Sequence, residues 1–247
     1  MVNAEEKLLS RFPKQRPELP GAYRAIYVEH YRRNREGGSP ASSLARRMEM
    51  WMHRKVAGDL PRMRHGYSTL EIGSGNLNHL EYELPSNRYD IVEPFVELYE
   101  NSPNRSRVQN FYRDLKEIRD RQFDRIVSIA AFEHLCDLPS VVAKSALLLA
   151  PGGELRVAVP SEGTILWKLG WTFTTGIEFR LRHGLDYGVL MRQEHVNTAK
   201  EIAGILNIFF RNTRRTVFGI CAPLSFYQFF QCADPDTGRC ERYLLMR

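Results

Sequence analysis

Thr69-Leu-Glu-Ile-Gly-Ser-Gly-Asn-Leu-Asn-His-Leu80 decides the fold. The stretch predicts the end of a buried strand, a glycine turn and the start of a helix. Gly73 and Gly75 lack a Cβ, so the backbone can turn tightly there and approach a ligand closely. Such a turn at the carboxyl end of a parallel strand is where open α/β sheets bind nucleotides. Glu71 says which kind. A carboxylate two positions before Gly73 repels a pyrophosphate and draws a cationic ligand. Glu93, in Tyr89-Asp-Ile-Val-Glu-Pro94, stands 93 − 71 = 22 residues on, where a ribose-binding carboxylate belongs at the tip of the second strand. The third glycine of the dinucleotide fingerprint is absent, with Asn78 near its place, which disfavours NAD.

Working outward, strands are expected at about 67–72, 88–93, 105–110, 123–129 and 154–160, with a sixth at 216–221 and a last at 242–245. Ser225-Phe-Tyr-Gln-Phe-Phe230 fits sheet, packing helix or interface equally. Helices are expected from 42 or 43 to 56, where Leu44, Met48, Trp51, Met52 and Val56 form one apolar stripe, and at 139–149. Thr198-x-x-Glu201 is a capping box that opens a further helix over 202–210. Residues 1–20 read as irregular, a helical pattern spans 23–31, and Glu36-Gly-Gly-Ser-Pro40 reads as a loop. The stretch 161–196, with Trp167, Trp171, Phe173, Phe179 and Tyr187 among Lys168, Arg180, Arg182 and Arg192, is too long for a simple connection. It reads as a binding cap or as an extra structural subdomain.

Glu71-Ile-Gly-Ser-Gly, Ile91-Val-Glu-Pro94, Phe123-Asp-Arg-Ile-Val-Ser-Ile129, Glu133-His-Leu135 and Leu149-Ala-Pro-Gly-Gly-Glu-Leu155 come in the order and spacing of a known motif series. Over residues 67–160 the chain resembles the class I S-adenosylmethionine (SAM)-dependent methyltransferases. The resemblance implies an α/β fold: a Rossmann-like, seven-stranded, mostly parallel sheet with helices on both faces and an antiparallel last strand. It implies a SAM-binding domain over 67–247 with the cap at 161–196, preceded by a helical extension over 1–66. It also implies a cofactor set of Glu71, Gly73, Ser74, Gly75, Asn76, Glu93, Pro94, Phe111, Asp114 and Ala130. Within that set Asp114 would meet the adenine amino group, Phe111 the adenine face, and Ala130 the methionine portion.

Composition bounds the partners. The 247 residues are 43% hydrophobic and 26% charged, as in an ordinary globular chain. No apolar run is long enough for a membrane span. The acidic start lacks an apolar signal core. The four cysteines form no C-x-x-C pair and no metal spacing, so free thiols in a reducing cytoplasm and no metal are expected. The net charge of +6 is lopsided: residues 1–66 hold 14 Lys/Arg against 7 Asp/Glu, leaving 21 against 22 elsewhere. That segment is either a solvated arginine-rich face or a surface for an anionic partner.

Methyl transfer to a hydroxyl needs a base for the departing proton. Two Glu-His pairs qualify: Glu133-His134 after the fourth strand and Glu194-His195 at the end of the cap. Glu133, His134 and His195 are therefore the catalytic candidates, with packing as the competing role for His134. His79 reads as a surface or capping residue. The expected activity is methylation of a small molecule, such as a sugar or nucleotide-sugar hydroxyl, bound under the cap. An RNA methyltransferase using the basic segment, and a non-catalytic binding module, are the alternatives. The first is disfavoured because Ala130-Ala-Phe-Glu133 stands where a base-amine acceptor motif would follow strand four.

Overall fold

A computed structural model describes residues 3–24, 26, 42–63, 66–85 and 88–247, the side chains of 42–46 excepted. The expected loop at 36–40 and most of the expected helix at 23–31 lie outside them. In chain order the main elements are α1 (Ala4–Leu9), α2 (Ser42–Val56), β1 (Ser68–Ile72), β2 (Arg88–Val92), β3 (Asn110–Tyr112), β4 (Phe123–Ile129), α3 (Leu138–Leu147) and β5 (Leu149–Pro160). After these come α4 (Ile165–Trp171), α5 (Ile177–His183), α6 (Tyr187–Glu194), α7 (Ala199–Phe209), β6 (Phe210–Cys221), β7 (Leu224–Pro235) and α8 (Thr237–Leu245). A π-helical turn, Thr172–Gly176, joins α4 to α5.

The strands form one seven-stranded sheet in the order β3-β2-β1-β4-β5-β7-β6. The β3, β2, β1, β4 and β5 ladders are parallel, and β7 runs antiparallel between β5 and β6. Strand order reverses beside β1, so the loops after β1, β2 and β4 share one crevice at the carboxyl edge.

Each central strand sends alternate side chains to opposite faces. Leu155, Val157 and Val159 of β5 join Leu70, Ile72 and Phe230 under α3, α7 and α8. Val127, Ile129, Ala158, Tyr227 and Phe229 meet Met52 and Val56 of α2 on the other face. From Met48 to Val56 the predicted α2 stripe packs on this face as its spacing requires, and the Leu44 side chain lies outside the described ones. The Thr198–Glu201 capping box is present, both reciprocal bonds being made.

Four local expectations are corrected. Residues 242–245 are not a strand: Asp236 accepts the Arg239 N–H at 3.0 Å and caps α8, whose Cys240, Tyr243 and Leu244 pack at helical spacing on the core. The antiparallel seventh strand is β7, built on the aromatic run at 225–230. The third strand is β3, not 105–110, because Arg105–Arg107 has no apolar side chain to bury and makes a 3₁₀ turn. The segments after the glycine turn and after Pro94 are also single 3₁₀ turns, Asn78–Tyr82 and Val96–Leu98. Residues 1–20 are not wholly irregular either, since Asn3 and Glu6 form a capping box that opens α1.

Candidate active site

The glycine turn leaves β1 with Gly73 at φ 72° and Gly75 at φ 51°, conformations that favour residues without a Cβ. A Cβ built on Gly73 would stand 2.4 Å from the Cβ of Ala131, so the turn packs directly against the loop after β4. Around Gly75 nothing approaches within 4 Å of such a Cβ. That open face is the cradle a ligand would fill. The Gly75 N–H donates to Glu93 Oε2 at 3.0 Å, and Glu93 Oε1 accepts from Phe95 N–H at 3.1 Å. Two backbone donors thus aim the Glu93 carboxylate across the mouth of the turn. Ser74 is buried beneath, its hydroxyl without a partner.

Glu71 lies lower. It is 2% exposed and accepts the Tyr89 hydroxyl at 3.0 Å. Burial pushes its pKa up to about 8. Asn76 holds the turn from outside: its carbonyl accepts the Ser102 hydroxyl at 2.7 Å and its side chain the Asn78 N–H at 3.2 Å. Pro94 is exposed. Phe111 stacks on Tyr99 with 5.2 Å between ring centres, and the Arg105 guanidinium lies 5.2 Å from the Phe111 ring. Asp114 is exposed, and its Oδ1 accepts the Lys116 N–H at 2.8 Å, which caps the following 3₁₀ turn. Ala130 is exposed at φ 51° as the chain leaves β4.

The three catalytic candidates, far apart in sequence, come together. His134 and His195 meet edge to face with 4.9 Å between ring centres. His134 Nε2 lies 3.7 Å from Glu133 Oε1. His134 Nδ1 donates to the Glu194 carbonyl at 2.9 Å, since a carbonyl oxygen can only accept. His195 Nδ1 lies 2.8 Å from Glu162 Oε2, which also accepts the Trp167 indole N–H at 2.6 Å. Glu133 is 1% exposed, and burial pushes its pKa up to about 7. Linear spacing suggested no metal-ligand set. The fold nevertheless brings Glu133, His134 and His195 together, with a ligand-type atom from each within 4.8 Å of the others.

Several residues that support this cluster went unnoticed in the sequence. Glu162, two residues past the end of β5, reaches His195. Asn197, fully buried, donates to the carbonyls of Phe132 at 2.8 Å and Leu135 at 2.7 Å, and its N–H to that of Glu133 at 3.0 Å. Arg16 reaches the carbonyls of His134 and Gln193, both at 2.7 Å. Lys14 pairs with Glu201 at 2.9 Å and donates to the Val196 carbonyl at 2.7 Å. The basic segment therefore ties the two histidine loops together from one side.

His79 is corrected. It is fully buried, with Nδ1 3.0 Å from His53 Nδ1 and Nε2 3.1 Å from Glu83 Oε1. The 3₁₀ turn folds it under α2, where it stacks with Tyr82. Behind it Arg125 of β4, 1% exposed, pairs with Asp59 at 2.7 Å and Glu83 at 2.9 Å. This buried network ties the end of α2 and the 3₁₀ turn to β4.

Residues 70–157 match the family model of the methyltransferase domain. The chain resembles the plantazolicin methyltransferase BpumL, solved with SAH and a monoazolic desmethylPZN analog, at 12% identity and a TM-score of 0.60, covering 93% of this chain and 97% of that one. An O-methyltransferase family protein from Burkholderia thailandensis aligns at 13% identity and a TM-score of 0.51, over 77% of this chain and 56% of its own. Phosphoethanolamine N-methyltransferase 2 of Haemonchus contortus, in complex with SAM, gives 14%, 0.51, 74% and 53%. The chain thus spans about half the length of these last two. No curated protein sequence matches it. With the sheet order and the glycine turn, residues 70–157 form a methyltransferase domain, and the chain has the Rossmann-like fold of the class I SAM-dependent methyltransferases. Among the described residues no helix is long and apolar enough to cross a membrane.

Proposed function

We propose that this chain transfers a methyl group from SAM to a hydroxyl of a small molecule, of the sugar or nucleotide-sugar kind, held under the 161–196 cap. The observation that carries the reading is the meeting of Glu133, His134, His195 and Glu162 beside the glycine turn. The residues present fit SAM: open space over Gly75, an aimed carboxylate at Glu93 and a buried acid at Glu71 suit a cationic nucleoside. In this reading Glu93 binds the ribose, Glu71, which a bound ammonium would help to ionise, favours the cationic amino-acid end, and Phe111 and Asp114 border the adenine. Gly73, Ser74, Gly75, Asn76, Pro94 and Ala130 give backbone and space.

SAM supplies a methyl on a sulfonium that is already a good leaving group. The protein then has to align the acceptor, exclude water and receive the acceptor's proton. Alignment falls to the Asn197 and Arg16 contacts, which fix both histidine loops. Proton removal falls to the histidine cluster, whose side chains are fixed through Nδ1. All four cysteines are free, which suits the reducing cytoplasmic setting that belongs to this reading.

An RNA substrate is less favoured, because Lys14 and Arg16 direct their charge onto Glu201 and backbone carbonyls of this chain. Labelled SAM incubated with nucleotide-sugars, free sugars, amines and RNA separates the readings. Label on a sugar hydroxyl supports the proposal. Label on RNA, or cofactor binding without any transfer to these acceptors, contradicts it.

A further inference from the structure

The histidine cluster holds more than a pair of bases needs. The proton on His134 Nδ1 is committed to the Glu194 carbonyl, which leaves its Nε2 with a lone pair 3.7 Å from Glu133 Oε1. Glu162 Oε2 already accepts the Trp167 indole N–H, so it meets His195 Nδ1 as an acceptor. His195 Nε2 is then the nitrogen left with a lone pair. Metal-binding histidines characteristically donate their second N–H to a carbonyl or carboxylate, which fixes the ring and its tautomer. Both histidines here are held in that way. The third group, Glu133, is 1% exposed, and its Oε2 has no hydrogen-bond partner. A buried oxygen without a donor is costly unless something positive faces it.

We infer that Glu133, His134 and His195 form a binding site for a divalent transition-metal ion of the zinc type. Two imidazoles and one carboxylate are a donor set that catalytic zinc uses, with a further position left for water or substrate. Their ligand atoms lie within 4.8 Å of one another. Metal-ligand distances of about 2.0–2.2 Å would bring donors roughly 3–4 Å apart, about 1 Å closer than they stand here. The His134 side chain is 32% exposed, so the cluster is open to solvent on one side.

Cation binding stands without the methyl-transfer reading; only its catalytic consequence rests on that reading. With an ion bound, the histidines would act on the acceptor proton through the metal, in place of the direct base role they have in the metal-free reading. The acceptor oxygen, bound to the ion, gives its proton to water and its electron pair forms the new O–C bond. The S–C bond of SAM breaks and leaves S-adenosylhomocysteine.

The test uses full-length, tag-free protein stripped with EDTA. Zn²⁺ is titrated calorimetrically and Co²⁺ is followed by its visible d–d bands, both without SAM. Stoichiometric binding of a single ion is expected. Glu133→Gln and His195→Gln should weaken it at least tenfold, and Glu162→Gln by about 10–100-fold as an outer partner. S-adenosylhomocysteine titrations of the same preparations confirm an intact fold. Absence of stoichiometric binding to the stripped protein overturns the inference, as does binding that survives these substitutions. S-adenosylhomocysteine binding without metal binding removes the inference alone, whereas metal binding without S-adenosylhomocysteine binding removes the methyl-transfer reading alone.

Discussion

The backbone N–H of Gly75 donates to the Glu93 carboxylate across 3.0 Å, linking the turn after β1 to the tip of β2. One bond thus couples the glycine turn to Glu93, the acid to which the sequence assigns a ribose-binding role. Glu93→Gln keeps the shape and removes the charge. A hydrogen bond to a charged group contributes about 1.5–3 kcal/mol, so affinity for S-adenosylhomocysteine should fall at least tenfold. Calorimetric titration measures it, and an unchanged dissociation constant removes Glu93 from the site.

Gly73→Ala should be worse than a single methyl suggests. The new Cβ meets Ala131 at 2.4 Å in a left-handed backbone conformation. The conformation alone costs about 1–2 kcal/mol, and the clash pushes the loop after β4 away from the turn. Both a lower melting temperature and weaker S-adenosylhomocysteine binding are expected. Ala131→Gly in the same chain should recover part of the loss by removing the clashing methyl.

Glu71 gives a pH signature. Burial raises its pKa from 4.5 to about 8, so the folded state holds the proton more tightly than the unfolded state. Its contribution to stability is fully present below about pH 4.5 and is lost as pH rises toward 8. Between those values the slope approaches about 1.4 kcal/mol per pH unit, then flattens. Urea unfolding of the wild type and of Glu71→Gln, compared from pH 5 to 9, isolates this group. The difference between the two should shift with pH in that sense; a pH-independent difference would show that Glu71 keeps an ordinary pKa.

Arg125→Met should destabilise the protein by about 3–5 kcal/mol, because Asp59 and Glu83 would remain buried without their cation. Chemical denaturation reads this directly. A loss below about 1 kcal/mol would mean that the network carries little of the fold.

The sheet was legible where burial and turn chemistry agree. The run at 123–129, the glycine turn and the capping box at Thr198 each bind a local pattern to one local structure. Residues 242–245 misled because Tyr243 and Leu244 are apolar at either period; the deciding cap, Asp236, lies before the segment. Arg125 drew no reading and His79 read as a surface or capping residue, because Asp59 and Glu83 lie far in sequence from Arg125 and His53 lies far from His79. The same holds at the site. Glu133, His134 and His195 were visible as Glu-His pairs, but their convergence depends on Asn197 and Arg16, whose contacts are long-range backbone bonds without a motif.

The central claim is that one crevice holds a cationic nucleoside at the glycine turn and presents its sulfur to the Glu133–His134–His195 cluster. A crystal structure with S-adenosylhomocysteine bound tests it most directly. The account predicts ribose hydroxyls on Glu93, the amino-acid end above Glu71 and Gly73, and the sulfur facing His134 and His195. A nucleoside bound elsewhere, or a sulfur turned away from both histidines, would contradict it.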